Sequence, residues 1–356
     1  MFDFDPSFLV RIHPHREKFH VSQGRTVFQV GADGIVAPES VDGLFVSRTR
    51  LLSVYRYLVD GKPPKANVVG NVKQHSWLGY YIALPPHWVG NGKDQGSGQM
   101  EEISEQTIEL RVSRHVGQGI HEELDFTNFT QQPTSFHFEL ELDADFADQA
   151  ELQQGKREQQ GNVQREWRQT RDGLWELSFD YSLEHPYSHQ GNAGVARLRR
   201  ALAVRIARSD SPPSYSEGRI TFPVALSPRG TWHACIQFIL SIEGHKTSPQ
   251  DGCKSFFEET SPTDRLRESF LRTATKFRGP VSGKLTPVVV ALLERAKEDL
   301  VALRLYDLDH RDDAWVMAAG LPIYVALFGR DALTASWEAA LLGPEMMRGT
   351  LAELPR

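Results

Sequence analysis

Two cysteines in 356 residues rule out a disulfide framework. Cys235 sits inside an apolar strand pattern and Cys253 in a polar loop, so two isolated thiols are expected. No apolar run approaches the ~18 residues needed to cross a bilayer, and the opening MFDFDPSFLVRIHPHR carries acids where a secretory leader would carry bases. A cytoplasmic protein with no membrane partner is expected. Cationic excess is missing as well. Lys and Arg total 40 against 46 Asp and Glu, a formal net charge of -6, which leaves no electrostatic footprint for nucleic acid. The glycine-rich stretch Gly90 to Gly98 lacks the Gly-x-Gly-x-x-Gly spacing and is not followed by Lys-Ser or Lys-Thr, so it reads as a loop and not as a phosphate cradle.

Metal-binding patterns are equally thin. His13-Pro14-His15 offers two imidazoles with no nearby acid. Asp143, Asp145 and Asp148 have no glycine to turn them around a cation, so a solvated strand end is expected and no metal. Glu122 and Glu123 are neighbours on a strand and point to opposite faces, which makes them structural and not an acid pair.

What is present is alternation. With 40% hydrophobic and 10% aromatic residues the chain can bury real cores. From about residue 24 to 243 apolar residues recur at every second position. Examples are Ile108, Leu110 and Val112; Phe136, Phe138, Leu140 and Leu142; Trp175, Leu177, Phe179 and Tyr181; Leu202, Val204 and Ile206; and Trp232, Ala234, Ile236 and Phe238. Each run offers one apolar and one polar face, the pattern of an antiparallel β-sandwich. Turn formers separate the runs: Asp60-Gly61, Gly90 to Gly98, Gln153 to Gln164 and Ser209 to Gly218.

After Gly244 the period changes. Ser261-Pro262-Thr263-Asp264 carries a helix cap, a proline at the first helical position and an acid three residues after the cap, followed by Leu266, Phe270, Ala274 and Phe277. A second helix starts at Thr286-Pro287 with the apolar stripe Val289, Leu292, Leu293, Ala296, Leu300 and Leu303, and with Glu294, Arg295, Lys297 and Glu298 opposite. Two more helical stretches are expected, one from Asp331 to Leu341 and one from Pro344 onward. Strands followed by helices argue for separate units: a sandwich over 1–250, a linker with a connecting helix over 251–286, and the start of a helical domain over 287–356.

Near the carboxyl end runs Trp315-Val-Met-Ala-Ala-Gly-Leu-Pro-Ile-Tyr-Val-Ala-Leu-Phe-Gly-Arg-Asp331, then Gly343-Pro344-Glu345 and Arg348-Gly349-Thr350-Leu351. Earlier come Gly43-Leu-Phe-Val-Ser-Arg-Thr-Arg50, Arg111-Val-Ser-Arg, His121-Glu-Glu-Leu-Asp-Phe-Thr-Asn-Phe and Leu140-Glu-Leu-Asp-Ala-Asp-Phe-Ala-Asp148. In order and spacing these segments resemble the amino-terminal sandwich and first helices of bacterial-type glycogen debranching enzymes of the amylo-α-1,6-glucosidase family. The resemblance implies an (α/α)6 toroid after the sandwich. The 70 residues of 287–356 would be its incomplete start, since a closed ring of twelve helices needs at least ~200.

It also implies hydrolysis of α-1,6-glucosidic bonds in an α-glucan or oligosaccharide, with no cofactor. Arg330 and Asp331 would clamp neighbouring hydroxyls of the glucose at the cleavage subsite, and Phe328 and Tyr324 would be its apolar walls. The catalytic acid and base would come from later loops, so none is assigned here. The sequence departs from the family pattern at Ile323-Tyr324, where relatives usually carry Trp-Phe, and at Ala332, where they usually carry Ser. These departures bear on the subsite's shape and linkage preference and not on the fold. Competing readings are a plain helix start for Arg330-Asp331 with a structural ion pair, core roles for Trp315 and Tyr324, a non-catalytic carbohydrate-binding or interaction module, and a glucosidase for another small α-glucoside. Oligomeric state is not legible.

Overall fold

A computed structural model describes residues 18–83, 107–189, 191–249, 253, 261–279 and 285–354. The expectations for His13, His15 and Gly90 to Gly98 lie outside them. The chain opens on a meander of β1 (Lys18–Gln23), β2 (Thr26–Gly31), β3 (Gly43–Val46) and β4 (Thr49–Leu52), paired in that order. β5 (Val54–Val59) leaves for a second sheet, while β6 (Lys65–Lys73), β7 (Ser76–Ala83), β8 (Ile108–Val116) and β9 (Ile120–Asn128) begin a third. β10 (Thr134–Asp143) returns to the second sheet, and helix α1 (Gln149–Gln154) precedes β11 (Asn162–Gln169), β12 (Trp175–His189) and β13 (Asn192–Ser209) of the third. β14 (Ser214–Ser216) and β15 (Arg219–Leu226) complete the second, and β16 (Thr231–Ile242) closes the third between β13 and β9, with β17 (His245–Thr247) beside it.

The period-two runs explain why these sheets face each other. In β10, Phe136, Phe138, Leu140 and Leu142 are all buried, while Ser135, His137, Glu139 and Glu141 point the other way. Phe138 meets Phe126 of β9 and Trp232 of β16 across the layer, with centroids 5.0 and 5.9 Å apart. The result is an antiparallel β-sandwich in which the second sheet packs on the third. At its turns the expected punctuation holds: Asp60 and Gly61 both take positive φ, 46° and 76°. The polar stretch Gln153 to Gln164 is less of a loop than expected, because α1 takes its start and β11 its end. No helix among the described residues is long and apolar enough to cross a membrane.

Two sequence expectations are corrected here. Asp143, Asp145 and Asp148 do not form a merely solvated strand end. Asp145 accepts from Arg50 Nη2 at 2.6 Å and Arg157 Nη1 at 3.0 Å, Asp143 from Arg165 at 2.7 Å, and Asp148 caps α1 through the Ala150 amide. Both cysteines are free thiols, as expected, but they are neighbours: the β9–β16 register sets Cys235 opposite Glu123 on the outer face of the third sheet, and Cys253 lies within its reach. Both faces of β9 are buried from Ile120 to Leu124, where one polar, hydrated face was expected.

The helices are α2 (Pro262–Thr273), α3 (Thr286–Ala302), α4 (Gly329–Glu338) and α5 (Glu345–Glu353). α2 starts on the anticipated capping box: Ser261 accepts from the Asp264 amide, and Asp264 reaches back to Ser261. α3 covers only the end of its expected stripe, where Leu300 and Leu303 pack against the helical core. Val289 and Leu292 are exposed, whereas Lys297 is 1% exposed and Val301 fully buried. In the carboxyl-terminal turns of α3, Lys297 is held by Thr275 O at 3.1 Å, Glu294 at 2.6 Å and the face of Phe277. Hydrogen bonding lets the ammonium go where an apolar side chain was expected.

α2 meets the sandwich through a charged seam. Arg267 donates to His75 Nδ1 at 2.7 Å and to Asp264 at 2.8 Å, and His75 Nε2 lies 3.1 Å from the same Asp264 oxygen. Burial holds His75 below its ordinary value of 6.5, against the opposing pull of Asp264. The unfolded chain therefore binds more protons than the folded one as pH falls through about 6.5, and stability drops. Asp264 is also buried, yet its bonds from His75 and Ser261 hold it well below the carboxylate range. Its contribution is present above about pH 4 and is lost below it, in the same direction. Thermal melts at pH 7.5, 6 and 5 should show a falling midpoint, and His75→Asn should flatten the slope between pH 7 and 5. An unchanged slope in the variant would exclude His75 as its source.

Candidate functional site

The segment between α3 and α4 is fixed from below before it presents anything to solvent. Arg304 is fully buried, forks onto Asp309 at 3.0 and 2.7 Å, and lies over the rings of Tyr306 and Trp315. Trp315 is itself fully buried and stands edge-on to Phe270 of α2 at 5.2 Å. Of its two sequence readings, core is the one the structure supports. Backbone bonds from Leu305 N to Val316 O (2.9 Å) and from Ala318 N to Leu303 O (2.8 Å) stitch the segment together.

Residues 320–324 then turn over, with Gly320 N bonded to Tyr324 O and a cis Leu321-Pro322 peptide. Two contacts tie this turn to the sandwich. Gln149 of α1 donates to Pro322 O at 2.9 Å, and Val325, with Leu321 and Leu327 beside it, packs with Leu305, Val316, Ala318 and Val27 of β2. With its apolar residues turned inward, the segment leaves Tyr324 and Phe328 outside, 55% and 40% exposed, with their rings edge to face at 5.7 Å.

Phe328 occupies the cap position of α4 and makes no side-chain cap bond. Gly329, Arg330 and Asp331 form the first turn, where a carboxylate also suits the helix dipole. Ala332 points inward, whereas Arg330 and Asp331 are exposed and have no hydrogen-bond or ion-pair partner among the described residues. The alternative of an Asp cap with a structural ion pair is therefore not what is seen. All four residues singled out in the sequence sit within one short stretch of surface, as two rings, a guanidinium and a carboxylate.

Trp337 was not singled out. It is 74% exposed and lies seven residues after Arg330, on the same helical face as Leu333, so its spacing is the signal that could have found it. The clefts of the sandwich lie elsewhere. One of about 650 Å³ runs between Arg25, Thr26, Val46 and Tyr306, and another of about 520 Å³ between His20, Phe45, Leu152 and Ile323. Neither includes Arg330 or Asp331. Among the described residues His75, His115 and Asp264 are close enough to hold a cation. Arg267 already supplies positive charge to that carboxylate and occupies His75 Nδ1, which leaves Nε2 as the protonated nitrogen facing Asp264. The group is an ion-paired seam and not a ligand set.

Among known proteins, the family described as the N-terminal domain of (some) glycogen debranching enzymes matches residues 21–237. No curated protein matches the chain. A galactose mutarotase-like protein from Clostridium acetobutylicum aligns with a TM-score of 0.32 and 7% identity over 63% of this chain and 94% of that one. A kojibiose phosphorylase-like protein from the human microbiome aligns with a TM-score of 0.37 and 11% identity, over 80% of this chain and 35% of that one. The match over more than half of the chain, on the strands that build the sandwich, places the protein in the family of glycogen debranching enzyme N-terminal domains.

Proposed function

We propose that the chain carries the sandwich and the substrate clamp of a glycoside hydrolase of the glycogen-debranching type, acting on α-1,6-glucosidic linkages of an α-glucan or oligosaccharide. In this reading residues 1–250 are the sandwich, 251–286 the connection, and 287–356 the opening helices of an (α/α)6 toroid. One observation carries the proposal. In a chain of this family, an adjoining guanidinium and carboxylate stand without partners among the described residues, a few positions from two exposed rings.

A neutral sugar offers hydroxyls that both donate and accept. Arg330 supplies donors in a fixed fork and Asp331 supplies acceptors, so the pair can grip two neighbouring hydroxyls and orient the anomeric carbon. Tyr324 and Phe328 are suited to the apolar edge of the ring. Inverting hydrolysis needs an acid and a base roughly 6.5–9.5 Å apart. Neither role is assigned to a residue of this chain, and the chemistry calls for no cofactor.

Titration with isomaltose and maltooligosaccharides tests the clamp. Asp331→Ala or Arg330→Ala should weaken binding by about tenfold or more, since a charge-assisted hydrogen bond contributes about 1.5–3 kcal/mol. The melting temperature should stay put, because both side chains are exposed. Affinity that survives both substitutions would move the sugar site to the sandwich and favour a carbohydrate-binding module. The purified 356-residue chain should not turn over isomaltose or limit dextrin.

A further inference from the structure

The outer face of the third sheet carries a cluster that the sugar chemistry does not use. On β9 it consists of His121, Glu123 and Asp125, and on β16 of His233 and Cys235, facing each other through the register His233 to Asp125 and Cys235 to Glu123. Cys253 lies against this face as well. Its sulfur lies 2.9 Å from His233 Nε2, and His233 Nδ1 lies 2.8 Å from Asp125 Oδ1. Asp125 Oδ2 accepts from Arg111 at 2.7 Å, and the His233 amide donates to Asp210 at 2.9 Å, which fixes the imidazole in place. Cys235, fully buried, lies 3.0 Å from His121 Nε2 and in hydrogen-bond contact with Cys253. Arg208 also acts on this face, as a favourable charge for a thiolate.

We propose that Cys253 is an activated thiol, set on a His233–Asp125 pair, which takes up low-molecular-weight disulfides and passes the bond to Cys235. The geometry supplies each role. Asp125 accepts the Nδ1 proton of His233, so Nε2 presents its lone pair to the Cys253 S–H, the arrangement that generates a nucleophilic thiolate. Burial raises Asp125, but its hydrogen bonds from His233 and Arg111 outweigh this and keep it ionised. Half-buried Cys253 is the thiol a solute can reach, and Cys235 is not.

The exchange balances. The Cys253 thiolate attacks one sulfur of a disulfide RSSR, forming Cys253–S–S–R and breaking the R–S–S–R bond, with one RS⁻ leaving. Cys235 then gives its proton to His121 and attacks the Cys253 sulfur, forming the Cys235–Cys253 bond and releasing the second RS⁻. Two protein thiols are oxidised and one disulfide is reduced to two thiols. Burial first, and the neighbouring Cys253 next, raise the Cys235 thiol well above its ordinary value.

The test uses the full chain and oxidised glutathione, read by intact mass and peptide mapping. The parent protein should lose the mass of two hydrogens and yield a linked Cys235–Cys253 peptide pair. Cys235→Ser should stop at one glutathione on Cys253, and Cys253→Ser should stay unmodified. Iodoacetamide should label Cys253 of the Cys235→Ser protein about tenfold or more faster than free N-acetylcysteine at pH 7, because His233 Nε2 stands ready to take the proton from its sulfur. His233→Gln or Asp125→Asn should remove that advantage. Labelling at the free-thiol rate in the folded protein, or glutathione retained on Cys253 with Cys235 intact, would overturn the proposal.

Discussion

Glu122→Ala should lower the stability of the sandwich by roughly 3–5 kcal/mol, the usual result of removing one member of a buried ion pair. At about 2–4 °C per kcal/mol for a domain of this size, the melting temperature should fall by about 6–20 °C. Glu122 and Arg114 are both completely buried between the two sheets, with Arg114 Nε 2.6 Å from Glu122 Oε2. Tyr55 and Tyr57 of β5 both donate to the other carboxylate oxygen, and Arg114 Nη2 donates to the Tyr57 hydroxyl at 2.8 Å. The guanidinium also lies over Phe28 and Trp77, at 4.2 and 5.0 Å from their centroids.

Burial alone would discharge Arg114, but Glu122 outweighs it and keeps the guanidinium protonated. Burial pushes Tyr55 and Tyr57 well above their ordinary value, so both hydroxyls remain donors. Without the carboxylate, one cation and two hydroxyls are left in a dry layer with nothing to neutralise them. Arg114→Met with Glu122→Leu should cost less than either single change, because an apolar pair leaves no orphaned charge. Urea unfolding of the four proteins of this cycle, with Glu122→Ala as a fifth, checks both statements. A Glu122→Ala cost under about 1 kcal/mol would mean that the network does not hold the sheets together.

Gly349→Ala should loosen the helical part while sparing the sandwich. In a helix, alanine is ordinarily better than glycine by about 1 kcal/mol. Here a Cβ on residue 349 would lie 2.2 Å from the Trp315 carbonyl oxygen and 2.4 Å from its C and N atoms. These are backbone atoms and cannot rotate aside, so α5 or the backbone at Trp315 must move. Overpacking of this kind costs about 1–3 kcal/mol and occasionally more. Displacing Trp315 disturbs both Phe270 and Arg304, which it touches. Hydrogen exchange should rise in residues 304–331 of the variant, with β8, β9 and β16 unchanged. Equal protection in parent and variant would show that the close approach is relaxed at no cost.

The strands were legible because each half-buried run repeats every two residues, as in Phe136 to Leu142. The start of α2 was legible because Ser261, Pro262 and Asp264 act locally. What could not be read involves partners distant in sequence. Nothing local says that Glu122 faces Arg114 and two tyrosines of another sheet, since a charge on an alternating strand looks the same whether it meets water or a buried cation. Nor does anything local say that Cys235 and Cys253 meet. The stripe on α3 failed because periodicity reports which side of a helix is apolar and not whether a neighbour covers it. Arg330 and Asp331 stood out by their order among flanking motifs, whereas the exposure of Tyr324 and Phe328 depends on the inward packing of Val325 and its neighbours.

The contacts from Gln149 to Pro322 and from Val27 to Val325 carry a consequence for evolution and for engineering. They make the β-rich half a mould on which the exposed surface of Tyr324, Phe328, Arg330 and Asp331 is cast, so a change in the twist of β2 would reshape that surface without touching any of these residues. Grafting the 315–331 stretch onto a foreign scaffold should therefore fail unless α1 and β2 travel with it.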